Sequence, residues 1–354
     1  MGTTYQAVQW NPQKRVYDTV MFAALAVYLG LFIAISLIFA PAADPMVVAI
    51  RAFGSAAFLL LHVVLAIGPL CRLNPLLLPL LYNRRHLGVA TFLTSLVHAL
   101  LVVLYYHMGG PVNPITSIFT SSPYDAGFIW LPFQPFGAAA LFILFLMAAT
   151  SHDFWLHNLT APVWKALHML VYAAYAALVA HVALGILQSE QSPVYVVAVA
   201  AGMATLLTLH LIAGLRERGP DRDVTASAGT DGFVDVCSLD EIRLNRARIV
   251  SLSGERVAVF KYADAASGQT RVCALSNVCQ HQNGPLGEGR FVDGCITCPW
   301  HGYQYLPHNG SSPPPFTERV PTFRVRLEHG RVLVDPRPLP AGTHSEPATA
   351  ARSP

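Results

Sequence analysis

Charge is what this sequence has least of. Only 12% of its 354 residues are Asp, Glu, Lys or Arg, against roughly a quarter in an ordinary soluble domain. With 53% hydrophobic residues and a mean hydropathy of +0.45, this excludes a wholly water-solvated globule and implies a membrane protein. A net charge of +3 and the lack of any basic run interleaved with aromatics argue against a nucleic-acid partner. Cysteine is sparse too: of six, four fall between Cys273 and Cys298, the pattern of a local ligand cluster and not of a secreted disulfide framework. No Gly-rich dinucleotide fingerprint follows a strand pattern, so a nicotinamide or flavin module is not indicated.

The scarce charge is also uneven. Residues 1–213 hold 7 Lys and Arg and 5 Asp and Glu, whereas 214–354 hold 16 and 15. The chain therefore reads as two objects, one solvated by lipid and one by water. In the first, six uncharged stretches each have about the ~20 residues a membrane-crossing helix needs: Thr19 to Ala40, Ala52 to Cys71, Leu87 to Tyr106, Phe128 to Thr150, Ala166 to Leu187 and Val194 to Ala213. The first is too long for a signal-peptide core and is read as a retained anchor. Lys14, Arg15, Arg72, Arg84, Arg85, Lys165, Arg216, Arg218 and Arg222 fall on one side of this pattern. The loops 41–50, 107–127 and 188–193 have no Lys or Arg, so both termini are expected in the cytoplasm of a multi-pass protein. Arg51, at the outer mouth of the second stretch, either snorkels or pairs with an anionic cofactor group.

Histidine in hydrocarbon needs a partner. His62, His98, His168 and His181 lie within stretches and His210 near the end of the last; each alone reads as a helix-to-helix hydrogen bond or as a ligand. His168 and His181 are 13 residues apart in the fifth stretch, roughly 20 Å along a helix, a separation suiting two hemes, one near each face. His98 and His181 count to similar depths in the outer half and make a geometric axial pair. His168 sits near the inner face with His86, His62, His210 or a non-histidine position as partner. At 100° per residue, 13 steps do not return to one helix face, so two hemes require different flanks or a helix irregularity.

Arg84-Arg85-His86-Leu87-Gly88 with His98, Thr150-Ser151-His152-Asp153-Phe154-Trp155, and Trp164-Lys165-Ala166-Leu167-His168 with His181 resemble, in that order, the ferric reductase-like transmembrane domain. Within it they are similar to the heme-binding membrane subunit of the bacterial periplasmic methionine sulfoxide reductase system. The resemblance covers roughly residues 15–213. It implies b-type heme, one or two, with His98, His168 and His181 as ligands, in a bacterial inner membrane. Family members with four ligands have two histidines on the third helix, and Arg85 stands near where the first would be. His152 and His157 read as solvated loop residues.

Residues 214–231 are rich in Gly, Arg, Asp and Ser and read as a linker. Short β-type runs follow at 247–252, 256–262, 270–275, 323–327 and 331–334, predicting a small all-β domain over 232–337. Residues 338–354, rich in Pro, Ala, Ser and Thr, are expected to be disordered.

Two loops hold the chemistry: Cys279-Gln280-His281 and, separated from it by 16 residues, Cys298-Pro299-Trp300-His301-Gly302. Two thiolates on one iron and two imidazoles on the other hold a [2Fe-2S] cluster in this way. Zinc bound by Cys295, Cys298, Cys279 and a histidine is the competing reading, although zinc does not call for C-x-H, Pro299 or Gly302. Cys295, Cys273, Cys237 and Cys71 are then buried apolar residues. With Gly284-Pro285-Leu286 and Gly294, the two loops resemble the Rieske pattern over about 232–337, which implies Cys279, His281, Cys298 and His301 as ligands. The disulfide-forming cysteines of the quinol-oxidising bc-complex members are replaced by Gly284 and Trp300, so the resemblance is to the ferredoxin and oxygenase kind. Its potential is expected near the low end of the Rieske range, about −150 mV, unless hydrogen bonds raise it.

The expected architecture is thus an all-α six-helix transmembrane bundle over 17–213, after a cytoplasmic segment 1–16, followed by the small all-β domain. The expected function is electron transfer from a cytoplasmic reductase or ferredoxin through the cluster and heme to a periplasmic or membrane acceptor. The alternatives are a redox sensor or assembly subunit, or quinol-linked transfer in the reverse direction.

Overall fold

The computed structural model of the chain describes residues 12–120, 132–151, 155, 159, 161–189, 192–217, 232–264, 267–281, 283–300, 302–314 and 316–350. The chain forms two compact units, a helical one built from Trp10–Pro69 and Asn83–His210 and a second that contains Leu211–Pro354 together with Leu70–Tyr82.

The helices are α1 (Pro12–Phe39), α2 (Pro45–Leu73), α3 (Arg84–Val102), α4 (Pro114–Thr120), α5 (Gln134–Ala149), α6 (Ala161–Met169), α7 (Val171–Leu184), α8 (Ile186–Ser189) and α9 (Pro193–Glu217). A 3-10 segment, Pro75–Asn83, precedes α3, and a π segment, Val103–His107, extends it. Five spans among the described residues are long and apolar enough to cross a bilayer: Lys14–Phe39, Pro45–Leu73, Arg84–His107, Val163–Gln188 and Pro193–Arg216. The expected count of six is therefore corrected. The fourth stretch forms only the 16-residue α5, because Pro135 fixes the helix start at Gln134 and 121–131 lie outside the described residues.

Lipid solvation shows in what the helices expose. Val20, Val27, Leu31, Ile35 and Ile38 of α1 are all more than half exposed, which water would penalise and hydrocarbon does not. Polar side chains inside the spans bond internally: Thr91 and Thr94 donate to the carbonyls of Leu87 and Ala90 at 2.8 Å. Leu61, Leu65, Leu144, Val171, Ala174 and Leu206 form the apolar centre of this unit. The fifth span is interrupted at Leu170 and Gly185, so a helix irregularity does fall between His168 and His181. Helix α9 runs past the expected linker start at Gly214 to Glu217, where Arg216 Nη1 donates to Leu73 O at 2.8 Å. The remainder of the linker, 218–231, lies outside the described residues.

The second unit is all-β beyond residue 232. Strands β2 (Arg246–Leu252), β3 (Glu255–Ala263) and β4 (Thr270–Ser276) form an antiparallel meander. Their two-residue alternation divides the core. Val257, Val259, Val272 and Ala274 face the sheet made by β1 (Val234–Ser238), β10 (Arg331–Val334) and β9 (Val325–Glu328). Ala258, Phe260, Cys273 and Leu275 face the other way, toward Cys279, Leu286, Ile296, Cys298, Tyr303 and Tyr305. The meander is thus the floor on which the small sheet β5 (Arg290–Val292), β6 (Cys295–Thr297) and β7 (Gln304–Tyr305) and its ligand-bearing loops are seated.

The tail corrects another expectation. As far as residue 350 it is ordered: Leu339 N donates to Thr322 O at 2.8 Å, Ser345 N to His308 O at 2.7 Å, and Ala350 N to Thr270 O at 2.9 Å. Strands β8 (Thr322–Phe323) and β11 (Ala348–Thr349) share the free edge of β4, pairing with Ala274 and Leu275 and with Val272 and Arg271 respectively. Peptide groups on that edge need partners whatever the side chains of the segment that supplies them, which is why composition misled. Truncation of the full chain after Arg337 is expected to lower the thermal midpoint of the β domain by several degrees, about 1–2 kcal/mol. Cluster absorbance followed during heating measures it; an unchanged midpoint would show that the tail adds no stability.

Candidate metal centres

The first loop leaves β4 through Asn277 and Val278. Leu286 N and Gly287 N donate to the Asn277 carbonyl and side-chain Oδ1 at 2.9 and 2.7 Å, Cys279 N donates to Gly284 O at 2.9 Å, and Asn283 N to Cys279 O at 2.7 Å. The second loop connects β6 to β7 and closes on itself: Cys298 N donates to Tyr303 O at 2.7 Å and Gly302 N to Cys298 O at 3.0 Å. Gly302 has φ +73°, a conformation that a side chain would strain. Cys279 and Cys298 are each 1% exposed.

The loops meet at Gly284. A Cβ there would lie 2.7 Å from Cys298 Sγ and 3.2 Å from the Trp300 ring, so the second loop packs into the space this side chain would fill. Tyr305 binds the first loop: its hydroxyl lies 3.3 Å from Cys279 Sγ and accepts from Gln280 N–H at 3.0 Å. Burial first, then the Cys279 charge, raises the Tyr305 pKa, so the phenol keeps the proton it directs at sulfur. His281 stacks on Tyr303 with ring centres 4.6 Å apart, and Tyr303 donates to Glu318. The structure therefore brings Cys279, His281 and Cys298 around one pair of tyrosines; His301 lies outside the described residues. Among the described residues no three His, Cys, Asp or Glu side chains form a metal-binding group. Two thiols, an imidazole and a cavity-making glycine still fit a cluster divided between sulfur and nitrogen ligands better than a closed tetrahedral site. Burial pushes Cys237 and Cys295 up to about 11 and raises Cys273 as well, which keeps them thiols.

Within the helical unit, His98 and His181 face each other with ring centres 6.5 Å apart. Their settings match. His98 Nδ1 lies 2.9 Å from Ile50 O and His181 Nδ1 3.0 Å from Phe133 O. Each ring rests on a glycine four residues beyond that carbonyl: a Cβ on Gly54 would lie 2.9 Å from His98, and one on Gly137 2.7 Å from His181. An N–H donated to a carbonyl fixes the tautomer and leaves Nε2 as the free lone pair.

No such partner faces His168 among the described residues. Its Nδ1 lies 3.0 Å from Trp164 O, its Nε2 3.4 Å from Ser151 Oγ, and its ring stacks on Trp164 at 3.7 Å. Of the suggested partners, His62 has both nitrogens bonded, to Phe58 O at 2.9 Å and the Tyr175 hydroxyl at 3.0 Å, whereas His86 bonds Asp18 at 2.8 Å and His210 lies 2.9 Å from Leu206 O, each through Nδ1. His152 and His157 lie outside the described residues. Sequence reasoning missed Tyr303 and Tyr305, whose signal is their place just after the second loop, and Gly54 and Gly137, which give none without the fold.

Comparison with known proteins agrees with both halves. The family model for the Rieske [2Fe-2S] domain matches residues 232–324, and that for the ferric reductase like transmembrane component matches 53–179. The ferredoxin subunit of biphenyl dioxygenase from a Pseudomonas species is 32% identical over 106 residues, 29% of this chain and 91% of its own length. The C-terminal domain belongs to the Rieske [2Fe-2S] family. The ferredoxin component of the alkene monooxygenase system of Xanthobacter autotrophicus is 28% identical to the Rieske domain region over 109 residues, 30% of this chain and 84% of that protein. The solved ferredoxin of carbazole 1,9a-dioxygenase from Nocardioides aromaticivorans is 24% identical, with a TM-score of 0.27, covering 30% of this chain and all of that one. The chain therefore joins a Rieske domain, which supports a [2Fe-2S] cluster, to a ferric reductase-like membrane component in a multi-pass membrane protein.

Gly284→Ala should abolish cluster assembly, since the methyl group enters the space held by Cys298 Sγ, whereas Gly294→Ala, open on its Cβ side but at φ +80°, should cost only about 1 kcal/mol. Iron and acid-labile sulfide content distinguishes them; full occupancy in the Gly284 variant would refute this packing.

Proposed function

We propose that this protein carries single electrons across a membrane, from a cytoplasmic reductase or ferredoxin through a [2Fe-2S] cluster to b-type heme and on to a periplasmic or membrane acceptor. The observation that carries the reading is the union, in one chain, of a Rieske domain with a ferric reductase-like membrane component. The Rieske relatives are named as ferredoxin components of oxygenase systems, which are carriers in larger chains and not complete catalysts. The arginine and lysine asymmetry supports cytoplasmic termini, and the resemblance of the membrane half supports a bacterial inner membrane.

In this reading Cys279, His281, Cys298 and His301 hold the cluster, and His98 and His181 hold one heme. Two imidazoles on opposite sides of one iron stand about 6 Å centre to centre, each about 3 Å from the metal, and the 6.5 Å between His98 and His181 supports that arrangement. His168 is assigned to a second heme with a partner other than His62, whose two nitrogens are both bonded. Bound iron supplies the redox chemistry; the chain sets position and potential. Ile50 and Phe133 aim the two lone pairs, and Tyr305 withdraws charge from the Cys279 sulfur.

Stopped-flow reduction of the purified membrane form tests the function. A cytoplasmic-type donor should reduce the cluster first and heme afterwards; heme that stays oxidised despite a favourable potential difference overturns the conduit. His98→Ala and His181→Ala should each remove the same heme, and Gly137→Val should mimic them by displacing the His181 ring without replacing it; full heme in either histidine variant overturns the pairing. Tyr305→Phe should lower the cluster midpoint by roughly 40 mV, the equivalent of about 1 kcal/mol for one electron, as read by EPR-monitored titration.

A further inference from the structure

Arginines on the Rieske domain are mostly paired. Arg248 bonds Glu241, Arg331 bonds Asp235, Arg326 bonds Glu328, Arg324 and Arg337 share Asp335, and Arg271 lies between Asp264 and Glu346. Three are not. Arg243 and Arg290 make no ion pair or hydrogen bond among the described residues, and Arg246 uses its guanidinium on a carbonyl, Gly289 O at 3.2 Å.

The backbone brings these three together. Arg246 N donates to Arg243 O at 3.1 Å, closing the turn before β2, and Phe291 N donates to Asn245 O at 3.1 Å, docking β5 on that turn. Burial, and then the charges of Arg290 and Arg243, pull the Arg246 pKa below its usual value, so Arg246 feels both neighbouring charges. Like charges gathered without a partner disfavour the fold locally, while the same domain neutralises six other arginines. The cluster has a definite place. Arg290 pairs across the ladder with Thr297, the residue before Cys298, so the positive patch flanks the second ligand loop.

We propose that Arg243, Arg246 and Arg290 form the docking surface for an acidic electron-donor protein. The proposal rests on the reading of the Rieske domain as an electron carrier and adds the chemistry of the partner. Complementary charge accelerates encounter and orients it, and here it would bring the donor beside Cys298. The step is a one-electron exchange: the donor loses one electron, and one ferric iron of the [2Fe-2S] pair becomes ferrous, with no proton or bond transferred.

The test is stopped-flow reduction of the detergent-purified full-length protein by an acidic plant-type ferredoxin, itself reduced beforehand and at about −400 mV low enough in potential. The double variant R243E/R290E, at two exposed side chains that hold nothing in place, should slow the second-order rate by about tenfold or more at low ionic strength. R243Q/R290Q should fall between, and the differences should shrink as salt is raised through about 0.15 M. Dithionite, a small anion that needs no docking, should still reduce the cluster fully in wild type and variants. Equal rates with ferredoxin, while dithionite still reduces the cluster, overturn the docking surface alone. A protein with no reducible cluster in any variant overturns the carrier reading instead. The assay is repeated in nanodiscs of zwitterionic and of anionic lipid: a charge-reversal effect confined to the anionic discs assigns the patch to lipid headgroups and overturns the donor proposal.

Discussion

Everything in the helical unit turns on the requirement that an imidazole placed in hydrocarbon have both nitrogens accounted for. Water is not there to take up an unmet N–H, and each unmet group costs several kcal/mol. His98 and His181 solve this identically, giving Nδ1 to a backbone oxygen of a different helical segment, Ile50 O or Phe133 O. That bond also fixes the tautomer, so satisfying the ring and leaving the Nε2 lone pair free are one event. It further dictates where side chains must be missing. A ring drawn that close to a neighbouring helix requires a glycine beneath it, and Gly54 and Gly137 are where those two rings land. The same requirement explains the other histidines: His62 is met by Tyr175, and His86 by a buried Asp18 that also receives Asn83. These contacts tie helices together, and the bond to Tyr175 withdraws His62 from any role opposite His168.

The Rieske domain meets an analogous demand in a different solvent. Its two ligand loops carry many backbone donors close to buried sulfur, and the fold supplies partners from within: Asn277 to Leu286 and Gly287, Gly284 to Cys279, Tyr303 to Cys298, Tyr305 to Gln280. The floor beneath them is the β2–β3–β4 meander, whose alternate residues face opposite cores. The loops can therefore be held without the bulk of a large domain.

Much of this was legible in the sequence, and the gaps have physical causes. The lipid-solvated and water-solvated parts were visible because charge density changes abruptly near residue 214. Strands β2, β3, β4 and β10 were visible because they are long or strongly alternating. Strands β5, β6, β7 and β11 have two or three residues each, too few for any period, and exist because neighbouring strands present backbone to pair with. The order of the tail was hidden for that reason. The fourth span was overread because apolar composition continues upstream of Pro135, whereas helix geometry starts there. At the candidate sites the candidate residues were legible as residue types at fixed spacing. Their supports, the carbonyls of Ile50 and Phe133 and the glycines that make room, were not, because main-chain acceptors and absent side chains leave no compositional trace.

The relation between the Rieske domain and its disulfide-bearing relatives can now be put in steric terms. Gly284 and Trp300 occupy the positions where the quinol-oxidising kind is read to carry its cysteines, so the sequence shows only that the bridge is missing. The structure shows why it could not simply be restored. The space a side chain at 284 would need is held by Cys298 Sγ at 2.7 Å and by the Trp300 ring, so a cysteine there would displace a ligand before it could form a bond. The two loops are clamped instead by packing and by the Tyr305 hydroxyl on Cys279 Sγ. A donor directed at ligand sulfur favours the reduced, more negative state of a cluster. The Tyr305 bond therefore acts to raise the potential of a cluster held there above what it would be without that donor.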